Sequence, residues 1–144
     1  MSTVHDQVDL PATPSDETTP PNRVELTPLS FLERAAYAFG ARTALVHREQ
    51  RYTYRELRRR VHRLASALLA SGVEPGERVA VLAPNSPVLL ESHFGVPLAG
   101  AVLVAINIRL AADEIAYILQ HSGAKTLLVD GELVPLVAPV LDRC

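Results

Sequence analysis

The chain has 144 residues, enough for one domain. Apolar residues make up 48% and charged residues 21%, an ordinary globular balance that excludes a wholly disordered chain. A net charge of −2 gives no overall field selecting nucleic acid or an anionic membrane. The one cysteine, Cys144, excludes an internal disulfide framework and a cysteine-based metal cluster. The longest run without a charged residue or a histidine, Phe94 to Ile108, is too short to span a bilayer and is interrupted by Gly95, Pro97 and Gly100. No basic segment followed by an apolar one opens the chain, so a reducing, cytoplasmic setting is expected.

Residues 1–26 differ from the rest. They carry Pro11, Pro14, Pro20 and Pro21, many Ser and Thr, and five acids against the single base Arg23. Such a stretch buries too little apolar surface to offset the entropy of ordering it, about 1–2 kcal/mol per residue for the backbone. A disordered acidic leader is the expectation, with residues 27–144 as the folded part.

From Thr27 the pattern becomes regular. Thr27 is placed to cap a helix and Pro28 suits its first turn; Leu32, Ala35, Ala36 and Phe39 follow at helical spacing, and Gly40 ends the run. Thr43 to Val46 and Arg51 to Thr53 read as two short strands, although the turn between them lacks the usual Gly or Asn. Thr53-Tyr54-Arg55-Glu56 is a capping box opening a helix. Leu57, Val61, Leu64 and Leu68 fall on one face of it, and Arg55, Arg58, Arg59 and Arg63 largely on the other. Gly72 closes it. Arg78 to Ala83 is an apolar strand, and Asn85-Ser86-Pro87 starts a helix running over Val88 to Ala99, which Gly95 and Pro97 should bend. Ala101 to Ile106 and Lys125 to Val129 read as two further strands flanking a helix over Ala112 to His121. A last helix over Glu132 to Leu141 is weakened by Pro135 and Pro139, and Leu141-Asp142-Arg143-Cys144 follow without a cap. That ending reads as a cut.

Alternating helices and strands, each strand apolar on both faces, predict an α/β fold: part of a three-layer parallel-sheet domain, with a small β-hairpin at its start and an incomplete C-terminal side. A sheet cut short leaves an unpaired edge, so poor solubility is expected.

Few residues point to chemistry. Gly95-Val-Pro-Leu-Ala-Gly100 has the spacing of half a P-loop, but Ala101-Val102 follow instead of Lys-Ser or Lys-Thr. Lys125, the only lysine, reads as an edge cation near a helix C-terminus. None of the five histidines pairs at metal-ligand spacing, and His93, inside an apolar helix, reads as a satisfied core or interface residue. Ser86 reads as a helix cap, with no G-x-S-x-G around it. Arg55, Arg58, Arg59, Arg60 and Arg63 could meet nucleic-acid phosphates, but no second basic element or aromatic platform accompanies them, and a solvated helix face explains them better. Ligands in open α/β sheets gather beyond the carboxyl ends of strands, which makes Asn107 and Arg109, with Pro84 to Ser86, the candidate ligand-proximal residues. No complete catalytic constellation, cofactor site or metal site is legible.

The order of four blocks carries a resemblance: Arg51-Tyr-Thr-Tyr-Arg-Glu-Leu57; Gly72 through the strand to Pro84-Asn85-Ser86; Gly100-Ala-Val-Leu-Val-Ala-Ile-Asn107; and Glu114-Ile-Ala-Tyr-Ile-Leu-Gln-His-Ser-Gly-Ala-Lys125. From about Leu26 onward the chain resembles the N-terminal start of the AMP-forming acyl-CoA synthetases. Glu91 to Gly100, with Asn107-Ile-Arg-Leu110, is most similar to the branch acting on short- and medium-chain acids. The resemblance implies an enzyme that activates a carboxylic acid with ATP and Mg²⁺, forms an acyl-adenylate, releases pyrophosphate and passes the acyl group to coenzyme A. It also implies that the catalytic parts lie further along such a chain, since none has a matching position here and Lys125 fits neither catalytic lysine. The 144-residue chain alone is therefore expected to be inactive. A non-enzymatic α/β interaction module is the alternative. The acid and the oligomeric state are not legible.

Overall fold

A computed structural model describes residues 26–143; the predicted leader lies almost wholly outside the described residues. Helix α1 (Pro28–Ala38) starts where Thr27 and Ser30 cap each other reciprocally. Strands β1 (Thr43–His47) and β2 (Gln50–Thr53) pair antiparallel as a hairpin. Arg48 supplies the left-handed turn residue, at φ 53°, that Gly or Asn ordinarily provides. Helix α2 (Tyr54–Ala70) opens on the predicted box: the Glu56 amide donates to Thr53 Oγ1, and Glu56 Oε2 accepts the Thr53 amide at 2.8 Å.

Three strands form the parallel sheet: β3 (Arg78–Leu82), β4 (Val102–Ala105) and β5 (Thr126–Val129), in the order β4-β3-β5. Between them run α3 (Pro87–Leu98) and α4 (Ala112–Ser122). The predicted last helix divides into a 3₁₀ turn (Gly131–Leu133) and α5 (Val134–Leu141), with Pro135 in the first turn, where its missing amide costs nothing.

The central strand β3 has Val79, Ala80, Val81 and Leu82 wholly buried, as a strand covered on both faces requires. Val79, Val81 and Ala83 join Ala65 and Leu68 of α2 and Val96 of α3 in one cluster. Ala80 and Leu82 join Ile115 and Leu119 of α4 and Val137 of α5 in another. These are the three predicted layers. The step from β3 to β4 carries α3 on one face, and the step back from β4 across to β5 carries α4 on the other. Steps in opposite directions with helices on opposite faces are what crossovers of one hand produce. Among the described residues β4 and β5 are each paired on one side only.

The basic helix is not simply a solvated face. Glu33 of α1 accepts from Arg58 Nε at 2.6 Å and lies 2.7 Å from His62 Nε2, which ties α1 to α2. Burial pushes the Glu33 carboxyl upward, but the His62 and Arg58 contacts outweigh it and hold it below the usual carboxylate range. A carboxyl titrating lower when folded than when unfolded adds stability that is full at neutral pH and lost as pH falls through the native value. A Glu33→Gln variant should be less stable than the wild-type chain at pH 7. The two urea midpoints should converge as pH falls below the ordinary Glu value of about 4.3.

Lys125 does not serve the α4 C-terminus. It pairs with Glu77, whose carboxyl this contact and the Glu74 amide hold low. Arg78 takes the predicted role, donating to the Ser122 and Gly123 carbonyls at 2.8 and 3.2 Å. Gly95 and Gly100 do not form a phosphate loop either. Gly95 lies inside α3 against Leu64, and Gly100 turns the chain at φ 80°.

Candidate functional site

Neighbouring strands β3 and β4 send their next helices to opposite faces of the sheet. At such a switch point the two following loops part and leave a crevice beyond the strand ends. The register fixes which residues meet there: Val81 lies opposite Ala105, and the Ile106 amide donates to the Val81 carbonyl at 2.9 Å. The loop after β3 (Ala83, Pro84, Asn85) therefore runs beside the loop after β4 (Ala105 to Arg109). With Leu89 of α3 they enclose a cleft of about 500 Å³.

Of the candidate ligand-proximal residues, Asn107, Arg109, Pro84 and Asn85 line this one cleft, whereas Ser86 lies outside its lining. Asn107 Oδ1 accepts the Arg109 amide at 3.0 Å, an Asx turn that fixes the loop. Asn107 and Arg109 are exposed, and the Arg109 guanidinium has no ion pair among the described residues. A guanidinium and two side-chain amides, Asn85 and Asn107, around a concave surface can hold an anion or a polar, planar group. They cannot by themselves supply a nucleophile or general base. Among the described residues no group of three or more His, Cys, Asp or Glu could hold a metal ion, and no step is assigned to a metal bound by this chain.

Two sequence readings change here. Ser86 stands at the N-cap of α3, but its hydroxyl makes no cap bond; Ser86 Oγ is buried without a hydrogen-bond partner among the described residues. His93 is exposed rather than part of the core, with Nδ1 2.8 Å from the Leu89 carbonyl. Ala111, which has no side-chain oxygen to cap with, precedes α4 with half a capping box: Glu114 Oε2 accepts its amide at 2.8 Å.

Sequence reasoning missed the ion pair that joins α2 to α3. Arg60 Nε donates to Glu91 Oε1 at 2.5 Å and Arg60 Nη2 to Glu91 Oε2 at 3.2 Å, joining α2 to α3, while the guanidinium stacks over Tyr52 of β2. Donating to Glu91 raises the Arg60 pKa further. The available signal was Glu91 itself, the sole formal charge in an otherwise apolar helix.

The architecture is that of an open parallel α/β domain with a cleft beyond its strand ends, and comparison with known proteins places it in a family. The family described as AMP-binding enzyme matches residues 32–143. The chain belongs to the AMP-binding enzyme family. It is 46% identical over 117 residues to a peroxisomal acetate/butyrate–CoA ligase of Arabidopsis thaliana, covering 81% of this chain and 21% of the relative. It is 45% identical over 121 residues to a peroxisomal trans-cinnamate:CoA ligase of Petunia hybrida, covering 84% and 21%. Among solved structures, a benzoate CoA ligase from Burkholderia xenovorans LB400 superposes with a TM-score of 0.77 at 32% identity, over 81% of this chain and 24% of that one. The chain thus spans about a fifth of the length of the curated relatives it matches. No helix among the described residues is long and apolar enough to cross a membrane.

Proposed function

We propose that these residues form the N-terminal segment, with residues 27–144 its folded part, of an AMP-forming acyl-CoA ligase. The complete enzyme joins a carboxylic acid to coenzyme A at the expense of ATP, in an Mg²⁺-dependent reaction of fatty-acid and related lipid metabolism. A carboxylate is a poor electrophile; adenylation converts it into an acyl group with a good leaving group, which a thiol can then displace. The match of residues 32–143 to the AMP-binding enzyme family carries this reading. The ligase relatives on every side favour it over a stand-alone interaction module. Relatives of almost equal identity are named for acetate or butyrate and for cinnamate, so the substrate class is a small carboxylic acid, aliphatic or aromatic. A cytoplasmic site belongs to the same proposal, and cell fractionation checks it against the peroxisomal alternative that those two relatives' names raise.

The chain's own contribution is a scaffold and one cleft. Asn107 and Arg109 are ligand-proximal: Arg109 takes an anionic group of a substrate, and Asn107 holds the loop that aims it. No residue of this chain is assigned a catalytic role. Acid-dependent ATP–pyrophosphate exchange is the decisive measurement. The purified 144-residue chain should show none with acetate, butyrate, cinnamate or benzoate. Exchange above the no-acid blank would overturn the scaffold reading. In a ligase containing this segment, Arg109→Gln should raise the KM of one anionic substrate about tenfold or more with a smaller change in kcat, since a charge-assisted hydrogen bond contributes about 1.5–3 kcal/mol. An unchanged KM for every substrate would remove Arg109 from the site.

A further inference from the structure

Charge is unevenly divided along this chain. Residues 27–73, which build α1, the hairpin and α2, hold nine arginines against three glutamates, a net +6 with His neutral. Residues 74–144 hold four bases against eight acids, and residues 1–26 hold one base against five acids. The overall balance of −2 therefore conceals one strongly basic end.

Two of the three glutamates there are already committed. Glu33 is held by Arg58 and His62, and Glu56 closes the α2 cap. Arg55, Arg59 and Arg63 recur at every fourth residue, which lines them up along one ridge of α2. All three are exposed and make no ion pair among the described residues. The fold adds the second basic element that the sequence alone did not show. The Tyr54 amide donates to the Arg42 carbonyl and the Arg55 amide to the Gly40 carbonyl, which ties the loop after α1 to the start of α2. The Arg55 guanidinium lies against Gly40, and exposed Arg42 stacks on Phe39, itself 49% exposed. Four guanidiniums thus form one continuous basic face, with an apolar ring at its head.

The occupant that fits this face belongs to the same chain. Residues 1–25 lie outside the described residues and join them at Leu26, directly before α1. Glu33 meets Arg58 and His62 while Gly40 meets Arg55, so α1 runs antiparallel to α2 and its start lies toward the Arg63 end of the ridge. The leader therefore enters beside the face. A random chain of 25 residues spans about 25–30 Å, whereas the ridge from Arg55 to Arg63 is about 12 Å long, so reach is ample. The leader's acids, Asp6, Asp9, Asp16, Glu17 and Glu25, are opposite in sign to the face, and Val8 and Leu10 beside the first two suit the Phe39 ring. The tether gives these acids an effective concentration of the order of mM, which a free anion of equal charge would have to match.

We propose that the acidic leader docks on the Arg42–Arg55–Arg59–Arg63 face of its own chain and screens that face from other anions. The contact is made between exposed charges, so salt weakens it. The inference rests on the charges of this chain alone and stands apart from the ligase reading.

The test uses the full 144-residue chain, with a nitroxide attached at position 15 through Ser15→Cys in a Cys144→Ser background. At low salt the amide resonances of Arg55, Arg59 and Arg63 should lose most of their intensity. Those of Ile115 and Leu119 in α4, on the other side of the sheet from α2, should keep theirs. The loss should disappear in about 0.5 M salt. It should also disappear when the leader is neutralised by Asp6→Asn, Asp9→Asn, Asp16→Asn, Glu17→Gln and Glu25→Gln, which leaves every contact of the described residues in place. No loss at low salt, equal loss in α4, or a loss indifferent to salt would overturn the proposal. Loss in an unlabelled, isotope-enriched chain mixed with the labelled one would assign the face to a second copy instead. A single-stranded oligonucleotide serves as the competing anion. It should bind the intact chain about tenfold more weakly at low salt than it binds the neutralised variant. Equal binding would show the face open to polyanions and would overturn the proposal.

Discussion

Replacing Glu91 by Leu should cost this chain about 2–3 kcal/mol, read as a drop in the urea midpoint at unchanged slope. Glu91 is 8% exposed and meets an Arg60 side chain that is 29% exposed. Removing one member of a fully buried pair typically costs about 3–5 kcal/mol, because the other charge is left in a poor solvent without a partner. The partial exposure of Arg60 lets water take up some of that deficit, which places the expectation below that range. Arg60→Met should cost at least as much, since the less exposed carboxylate is then the orphan and the Tyr52 ring loses the cation above it. The double variant, Arg60→Met with Glu91→Leu, should be more stable than either single one, because neither charge is left behind. A double-mutant cycle gives the coupling directly. Additive losses would show that the pair is solvated and that α2 and α3 are held by apolar packing alone.

The layers were readable because they rest on local signals. Reciprocal caps at Thr27 and Thr53 mark two helix starts, and the uninterrupted apolar run at β3 marks a strand buried on both faces. The candidate cleft was readable through topology. Pro84–Asn85 and Asn107–Arg109 each follow a parallel strand, and the adjacency of β3 and β4 turned two loops more than 20 residues apart into one cleft. What stayed hidden depends on partners distant in the chain. Five arginines on one helix look equivalent in sequence, yet Arg60 alone among them reaches a buried carboxylate, 31 residues away. Lys125 and Arg78 stand at the starts of adjacent strands, and which of them would serve the end of α4 depended on the register of β5 against β3. Ser86 occupies a cap position, but nothing local shows that its hydroxyl would be withheld from the helix.

Gly95 sets the distance between α2 and α3, and enlarging it should be felt across the whole contact. A Cβ at this position would fall 2.8 Å from Leu64 Cδ2 and 3.1 Å from Leu64 Cβ. The second contact decides the outcome: a rotamer change can withdraw Cδ2 but not Cβ, so the helices must separate. Alanine is otherwise the better helix residue by about 1 kcal/mol, which offsets part of the loss. Gly95→Ala should therefore be destabilising by about 1 kcal/mol net, and Gly95→Val by about 3 kcal/mol, as overpacking of a close contact allows. Leu64→Ala alone should also destabilise, by removing a partly buried leucine from the cluster around Val96. In the Gly95→Val background the same Leu64→Ala change should instead recover stability, because it vacates the space the valine needs. The sign reversal is the measurement. It separates a steric limit at Gly95 from a general intolerance of α3, in which case the two losses would simply add. The limit reaches the cleft as well: α3 begins at Pro87, directly after Asn85 and Ser86, so a shift of this helix moves one wall of the site against Asn107 and Arg109.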